Sequence, residues 1–209
     1  MDEERRIRVL CIDDHPLIRE GIGAVVGSQA DMQLVADAAN AQDGIHQFRK
    51  HLPDVTLMDL RLPDMSGIEA TAAIRKEFPQ ARIFVLTTFE GDVEIQRALE
   101  SGARGYILKN LPPKEVVEAI RQVHAGKKRI PAQIAAQLAE HLSDEGLTER
   151  ETEVLRNVAE GNRNQDIAER LFIAQATVKV HIKHIMEKLG ATDRTQAVAI
   201  GVRRGIIQL

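Results

Sequence analysis

Five strand-length apolar runs, at residues 7–12, 32–38, 55–58, 82–86 and 105–108, alternate with helix-period segments along the first half of the chain. Most are continuous rather than alternating, the pattern of parallel strands covered on both faces. Between them, Pro16 opens a segment with apolar positions Ile18, Ile22, Val25 and Val26, and proline suits a first helical turn. Ile95 and Leu99 precede Gly102, a C-cap signal, and Val116, Val117, Ile120 and Val123 follow Pro113. Strand and helix in this alternation predict a doubly wound α/β domain with a five-stranded parallel sheet.

The pattern changes after Ala125. Gly126-Lys127-Lys128-Arg129 is a polar break, and Ile130, Ile134, Leu138 and Leu142 then recur at helical spacing, predicting a linker helix that ends near Gly146. From Leu147 onward everything is helical, with expected helices at 149–160, 164–171, 175–189 and 194–204. Thr148 with Glu151 reads as a capping box, Asp193 with Gln196 as its Asp-started version, and Gly161 and Gly190 stand where helices stop. The expected domains are therefore 1–125, a linker 126–146, and 147–209.

Charge divides along the same line. Gly146 to Leu209 carries ten Lys/Arg against eight Asp/Glu, a net of +2, so the rest holds −5 of a total of −3. An acidic first part and a mildly basic last part imply different partners. The single cysteine, Cys11, lies in an apolar run and cannot form a disulfide within the chain, which fits a reducing compartment. The charged N-terminus does not read as a signal peptide, and no segment has the length of apolar sequence that spans a bilayer. A cytoplasmic protein with no membrane partner is expected.

Polar residues end four of the five runs. Asp13 and Asp14 follow the first, Asp59 the third, Thr87 the fourth and Lys109 the fifth. In an open α/β sheet ligands bind beyond the carboxyl ends of the strands, where strand order reverses. In the order 2-1-3-4-5 that reversal falls between strands one and three, so Asp13, Asp14 and Asp59 would converge. Clustered carboxylates either take up protons or hold a cation, and Mg²⁺ suits a site that also receives a phosphoryl group. A carboxylate nucleophile at Asp59, a cation, the Lys109 charge and the Thr87 hydroxyl are what phosphoryl transfer to aspartate requires.

On these stretches residues 1–125 resemble a response-regulator receiver domain of flavodoxin-like fold. The resemblance rests on Val9-Leu10-Cys11-Ile12-Asp13-Asp14-His15, the segment from Leu57 through Asp59, Pro63 and Asp64 to Gly67, Val85-Leu86-Thr87-Thr88, and Gly105-Tyr106-Ile107-Leu108-Lys109. It implies that Asp59 takes a phosphoryl group from a sensor histidine kinase. It also implies Mg²⁺ held by Asp14, Asp59 and the backbone carbonyl of Arg61, with Asp13 bound through water, and a Thr87–Tyr106 relay. A haloacid-dehalogenase-type phosphohydrolase would place a second carboxylate two residues after the nucleophile, where this chain has Arg61. A phosphorylation-independent interaction module would not need the full Asp13/Asp14/Asp59/Thr87/Lys109 set. No enzymatic activity is expected beyond accepting the group and, at most, losing it again.

In the last domain, Val178, Ile182, Ile185 and Leu189 form a core stripe on the third helix, which leaves Lys179, Val180 and Lys183 on the opposite side. There Val180 would meet a thymine methyl while the lysines reach guanine edges or phosphates. Together with the helix at 164–171 this is a helix-turn-helix, and residues 147–209 resemble the LuxR-type domain of the NarL/FixJ family. The resemblance rests on Leu147-Thr148-Glu149-Arg150-Glu151, Gly161, Asn164, Ile167-Ala168, Leu171, Thr177 to His181, and Lys188-Leu189-Gly190. It implies double-stranded DNA as partner, with Thr177 among the phosphate contacts. Arg163 and Ala174 stand where the family usually has Ser N-caps; Asn162 or Asn164 is the expected substitute for the first and Gln175 for the second. On the last helix Ala197, Ile200 and Gly201 are expected to face the domain, leaving Val198, Ala199 and Val202 for a two-fold contact. A homodimer, formed on phosphorylation and matched to paired half-sites, is the expected DNA-binding form.

Overall fold

The computed structural model describes residues 6–87, 91–110, 112–127, 130, 135–136 and 145–207. The chain divides into two compact units, one of Met1–Phe89 and Ile95–Ala135, the other of Glu90–Glu94 and Ala136–Leu209. The expected linker helix falls mostly outside the described residues.

Residues 7–124 alternate strand and helix in the order β1 (Ile7–Ile12), α1 (Pro16–Gly27), β2 (Met32–Ala38), α2 (Ala41–His51), β3 (Val55–Asp59), α3 (Gly67–Glu77), β4 (Ile83–Thr87), α4 (Asp92–Glu100), β5 (Gly105–Leu108) and α5 (Pro113–His124). All strand pairings are parallel, in the order β2-β1-β3-β4-β5. Successive residues of a strand point to opposite faces, and both faces are covered. Val9, Cys11, Val55, Leu57, Phe84 and Leu86 pack with Ile22 and Val26 of α1 and Val116, Ile120 and Val123 of α5. Leu10, Ile12, Met58 and Ile83 pack on the other side with Ile45 and Phe48 of α2 and Ala70 and Ile74 of α3. The runs look continuously apolar because each face has its own helical layer. Cys11 is fully buried, and burial pushes its thiol up to about 12, so it behaves as a small core residue.

The second unit contains α6 (Glu149–Ala159), α7 (Asn164–Leu171), α8 (Gln175–Leu189) and α9 (Arg194–Arg203). Val154, Leu155, Val158, Ile167, Val178, Ile185, Ala197, Ile206 and Ile207 form its core. The Thr148–Glu151 capping box is present in both directions. Glu151 Oε2 also accepts from Lys188 Nζ at 3.0 Å, tying the start of α6 to the end of α8. Among the described residues no helix is long and apolar enough to cross a membrane.

Candidate functional site

The sheet register creates the acidic pocket. Ile12 of β1 is paired with Met58 of β3, so the next residues, Asp13 and Asp59, leave the sheet side by side where strand order reverses. Both are buried, at 0% and 2% exposure. The Lys109 backbone N–H donates to Thr87 O at 2.8 Å, extending the β4–β5 ladder by one residue. From there its side chain reaches both acids, with Nζ 2.7 Å from Asp59 Oδ2 and 2.8 Å from Asp13 Oδ2. Thr87, the last residue of β4, and Tyr106, in β5, are buried as well.

Charge in this pocket does not balance. Two buried carboxylates face one ammonium, and Asp14 adds a third carboxylate at the pocket edge. Burial raises the Asp59 pKa above the ordinary carboxylate value, against the hydrogen bond and charge of Lys109. Burial also disfavours charge on Lys109, yet its hydrogen bonds to Asp13 and Asp59 outweigh that and hold its pKa above the usual lysine value. Asp13 Oδ2 is buried and meets the Lys109 ammonium as an ion pair at 2.8 Å. One ligand atom each from Asp13, Asp14, His15 and Asp59 lie within 4.8 Å of one another. Buried carboxylate oxygens with surplus negative charge fit a hard divalent cation. The aspartates are not spent on capping α1, whose N-cap is His15 with no side-chain cap.

His15 and Gly67 belong to this neighbourhood although sequence reasoning assigned neither a role. His15 donates its backbone N–H to Asp13 Oδ1 at 2.9 Å, and its Nδ1 lies 2.5 Å from Asp14 Oδ1. A Cβ on Gly67 would stand 1.9 Å from the carbonyl oxygen of Asp59, so only glycine lets α3 begin this close to the acceptor strand. Its place eight residues after Asp59 was the visible signal; the contact was not. Arg61, exposed, donates its backbone N–H to Asp59 Oδ1 at 3.3 Å.

In the second unit α7 ends at Phe172, in the left-handed region at φ 53°, and α8 begins three residues later. Arg150 Nη2 donates to Leu171 O at 2.6 Å and fastens this turn to α6. On α8, Val178 and Ile185 are buried and Ile182 and Leu189 half-buried, whereas Thr177, Lys179, Val180 and Lys183 are exposed. Val180 shows half its surface to solvent.

Residues 9–121 match the response regulator receiver domain family, and residues 145–200 match the bacterial regulatory proteins of the luxR family. The chain is a two-component response regulator. The transcriptional regulatory protein YxjL of Bacillus subtilis is 40% identical, across 97% of this chain and 98% of that one. The response regulator protein VraR of Staphylococcus epidermidis is 38% identical, across 97% and 99%. Salmonella enterica serovar Typhimurium RcsB, solved bound to promoter P1flhDC in the presence of phosphomimetic BeF₃⁻, is 26% identical with a TM-score of 0.73, covering 94% of this chain and 98% of that one. This response regulator thus joins a receiver domain, whose acidic cluster suits a divalent metal, to a LuxR-type DNA-binding domain.

Three local expectations for the regulator's helical domain are corrected. Neither Asn162 nor Asn164 caps α7. Arg163 is the N-cap and its side chain has no acceptor, so the cap works backwards, from Asp166 Oδ2 to the Arg163 N–H at 3.0 Å. Gln175 does not replace the missing cap of α8: Ala174 is the N-cap and makes no side-chain bond, leaving first-turn amides for solvent or an anion. Asp193 caps α9 through the N–H groups of Thr195 and Gln196, but Gln196 Oε1 accepts from Thr192 N rather than closing a reciprocal box. Val198 and Val202, expected at a two-fold contact, each keep part of their surface exposed. Both are half-buried against the domain's own core, while Ala199 is exposed and Ile200 half-buried.

Proposed function

We propose that this response regulator accepts a phosphoryl group on Asp59 from a sensor histidine kinase and that the modified form binds double-stranded DNA as a homodimer on paired half-sites. The observation that carries the reading is the Lys109 ammonium, within 2.8 Å of both buried acids. In the transfer, an Asp59 carboxylate oxygen forms a bond to phosphorus as the P–N bond to the kinase imidazole breaks. The electron pair leaves with the imidazole, which then takes up a proton. Lys109 neutralises charge on the transferred oxygens, and the Thr87 hydroxyl hydrogen-bonds the product. Asp14, Asp59 and the Arg61 carbonyl, with Asp13 behind a water, would hold Mg²⁺, which supplies further positive charge to the phosphoryl group. Tyr106 completes the relay from Thr87.

The modified state is a shifted population rather than a new fold. On DNA, Lys179, Val180 and Lys183 read base edges and Thr177 contacts phosphate, a reading supported by their exposure on α8 and by RcsB, the neighbour solved on a promoter. The protein would work in the cytoplasm and have no activity toward other substrates beyond self-dephosphorylation. The test is DNA binding by the wild type and by Asp59→Asn, each with and without a small phosphodonor. The wild type should bind more tightly with the donor and the variant should not respond; a full response by Asp59→Asn would overturn the assignment.

A further inference from the structure

Residues 60–66 link the acceptor strand to α3, and both ends of this loop are fixed. At its start the Arg61 N–H meets Asp59 Oδ1, and at its base Gly67 N donates to Leu60 O at 2.9 Å. Its far side is held differently. Asp64 reaches across to α2, where Oδ1 accepts from Ala41 N and Oδ2 from Gln42 N, both at 2.8 Å. These are the first two amides of α2, donors that a helix cannot satisfy internally. Asn40, the N-cap proper, takes the next one, through Asp43 N at 2.9 Å. One loop carboxylate therefore serves as a two-pronged cap for a helix more than twenty residues earlier, and the positive end of that helix favours its charge. Leu62 and Met65, on either side of the Pro63–Asp64 pair, pack against the core shared with α2.

Nothing in the phosphoryl chemistry uses the Asp64 carboxylate, yet it belongs to the loop that carries Arg61. We propose that Asp64 is a positioning residue for the divalent-cation site, holding the Arg61 peptide against Asp59 by pinning the loop to the N-terminus of α2. The inference rests on the reading that Asp59 accepts a phosphoryl group with Mg²⁺ bound beside it. Backbone amides of Ala41 and Gln42 keep the Asp64 carboxyl below its usual range despite the opposing effect of burial, so the anchor is charged at neutral pH.

The two prongs make the effect graded. Asp offers one oxygen to each amide. Asn offers one oxygen only, and its NH₂ would face the second N–H. Mg²⁺ binding to the full-length protein is measured by calorimetry, and after treatment with acetyl phosphate over a range of Mg²⁺ concentrations the phosphorylated fraction is followed by intact mass. Asp64→Ala should raise both the Mg²⁺ dissociation constant and the Mg²⁺ concentration for half-maximal rate by about fivefold, the scale of one lost helix cap, with the rate at saturating Mg²⁺ preserved. Asp64→Asn should fall between it and the wild type. Asn40→Ala is the control, because it uncaps the same helix without touching the loop, and it should leave the Mg²⁺ dependence unchanged. Wild-type Mg²⁺ dependence in Asp64→Ala would overturn the proposal, as would an equal shift in Asn40→Ala, which would reduce Asp64 to a helix stabiliser. If the wild type itself gained no phosphoryl mass, the reading of Asp59 would fail instead, and this one with it.

Discussion

Lys109 Nζ lies 2.7 Å from Asp59 Oδ2, although fifty residues separate the two in the chain. The same ammonium touches Asp13, so one positive charge separates two buried negative ones. Replacing Lys109 by Met should leave those carboxylates facing each other and destabilise the receiver by about 3 kcal/mol at neutral pH. Added Mg²⁺ should restore part of the loss by supplying the missing charge, while phosphorylation stays impaired. Urea denaturation with and without Mg²⁺ measures both effects; a variant as stable as the wild type without metal would contradict the balance described above.

Gly67 admits no side chain. A methyl there would overlap the Asp59 carbonyl, which is backbone and cannot swing aside. Gly67→Ala should therefore cost about 2 kcal/mol or more by forcing the start of α3 away from β3. It should also slow acetyl phosphate-dependent phosphorylation, since Asp59 moves with its carbonyl. Thermal unfolding together with intact-mass phosphorylation would show whether the two losses occur together.

The exposed face of α8 separates position from sequence. Lys179→Ala and Lys183→Ala should each relax the preference for guanine at one position, at a cost of about 1–3 kcal/mol. A lysine that contacts phosphate instead would weaken binding across all sequences and reduce the salt slope by about 1. Val180→Ala should leave the salt slope unchanged and relax selection for thymine by about 1 kcal/mol. Binding isotherms of the phosphodonor-treated protein over a salt series, on operator and scrambled duplexes, distinguish these outcomes.

Glu151 gives the helical domain a pH dependence of known sign. Burial would raise its pKa, but hydrogen bonds from Thr148 and Lys188 outweigh that and hold it below its ordinary 4.5. A depressed folded-state pKa contributes stability that is complete above 4.5 and is lost as pH falls through the lower folded value. Glu151→Gln should cost about 1 kcal/mol at neutral pH, and the difference from the wild type should vanish in acid. Hydrogen exchange of the α6 amides between neutral pH and pH 3 (roughly, below the carboxylate range) reads this directly.

Much of the molecule was legible because its signals are local. An apolar run of strand length needs no partner to be recognised, and a polar residue at its end is visible in the chain itself. Asp13, Asp14, Asp59, Thr87 and Lys109 are therefore recognisable as strand-tip residues from the chain alone, as is the core stripe of α8. Helix starts were less readable where the cap comes from an unexpected side: Arg163 is capped backwards by Asp166, and α2 is capped from the loop after β3. Val198 and Val202 show a further limit: helical periodicity gives the angle of a residue but not how much of it the domain's own core covers.

What the sequence by itself determined is the order of strands and helices and the chemical identity of each strand tip, since both depend on side chains and their near neighbours. Only the tertiary structure decided that Asp13 and Asp59 leave adjacent strands together, that Lys109 reaches both, and that Asp64 holds a helix it does not belong to. The reason is physical: a carboxylate's burial, its pKa and its distance from an ammonium are set by parallel pairing between segments far apart in the chain, and that register is an outcome of packing both faces of the sheet at once.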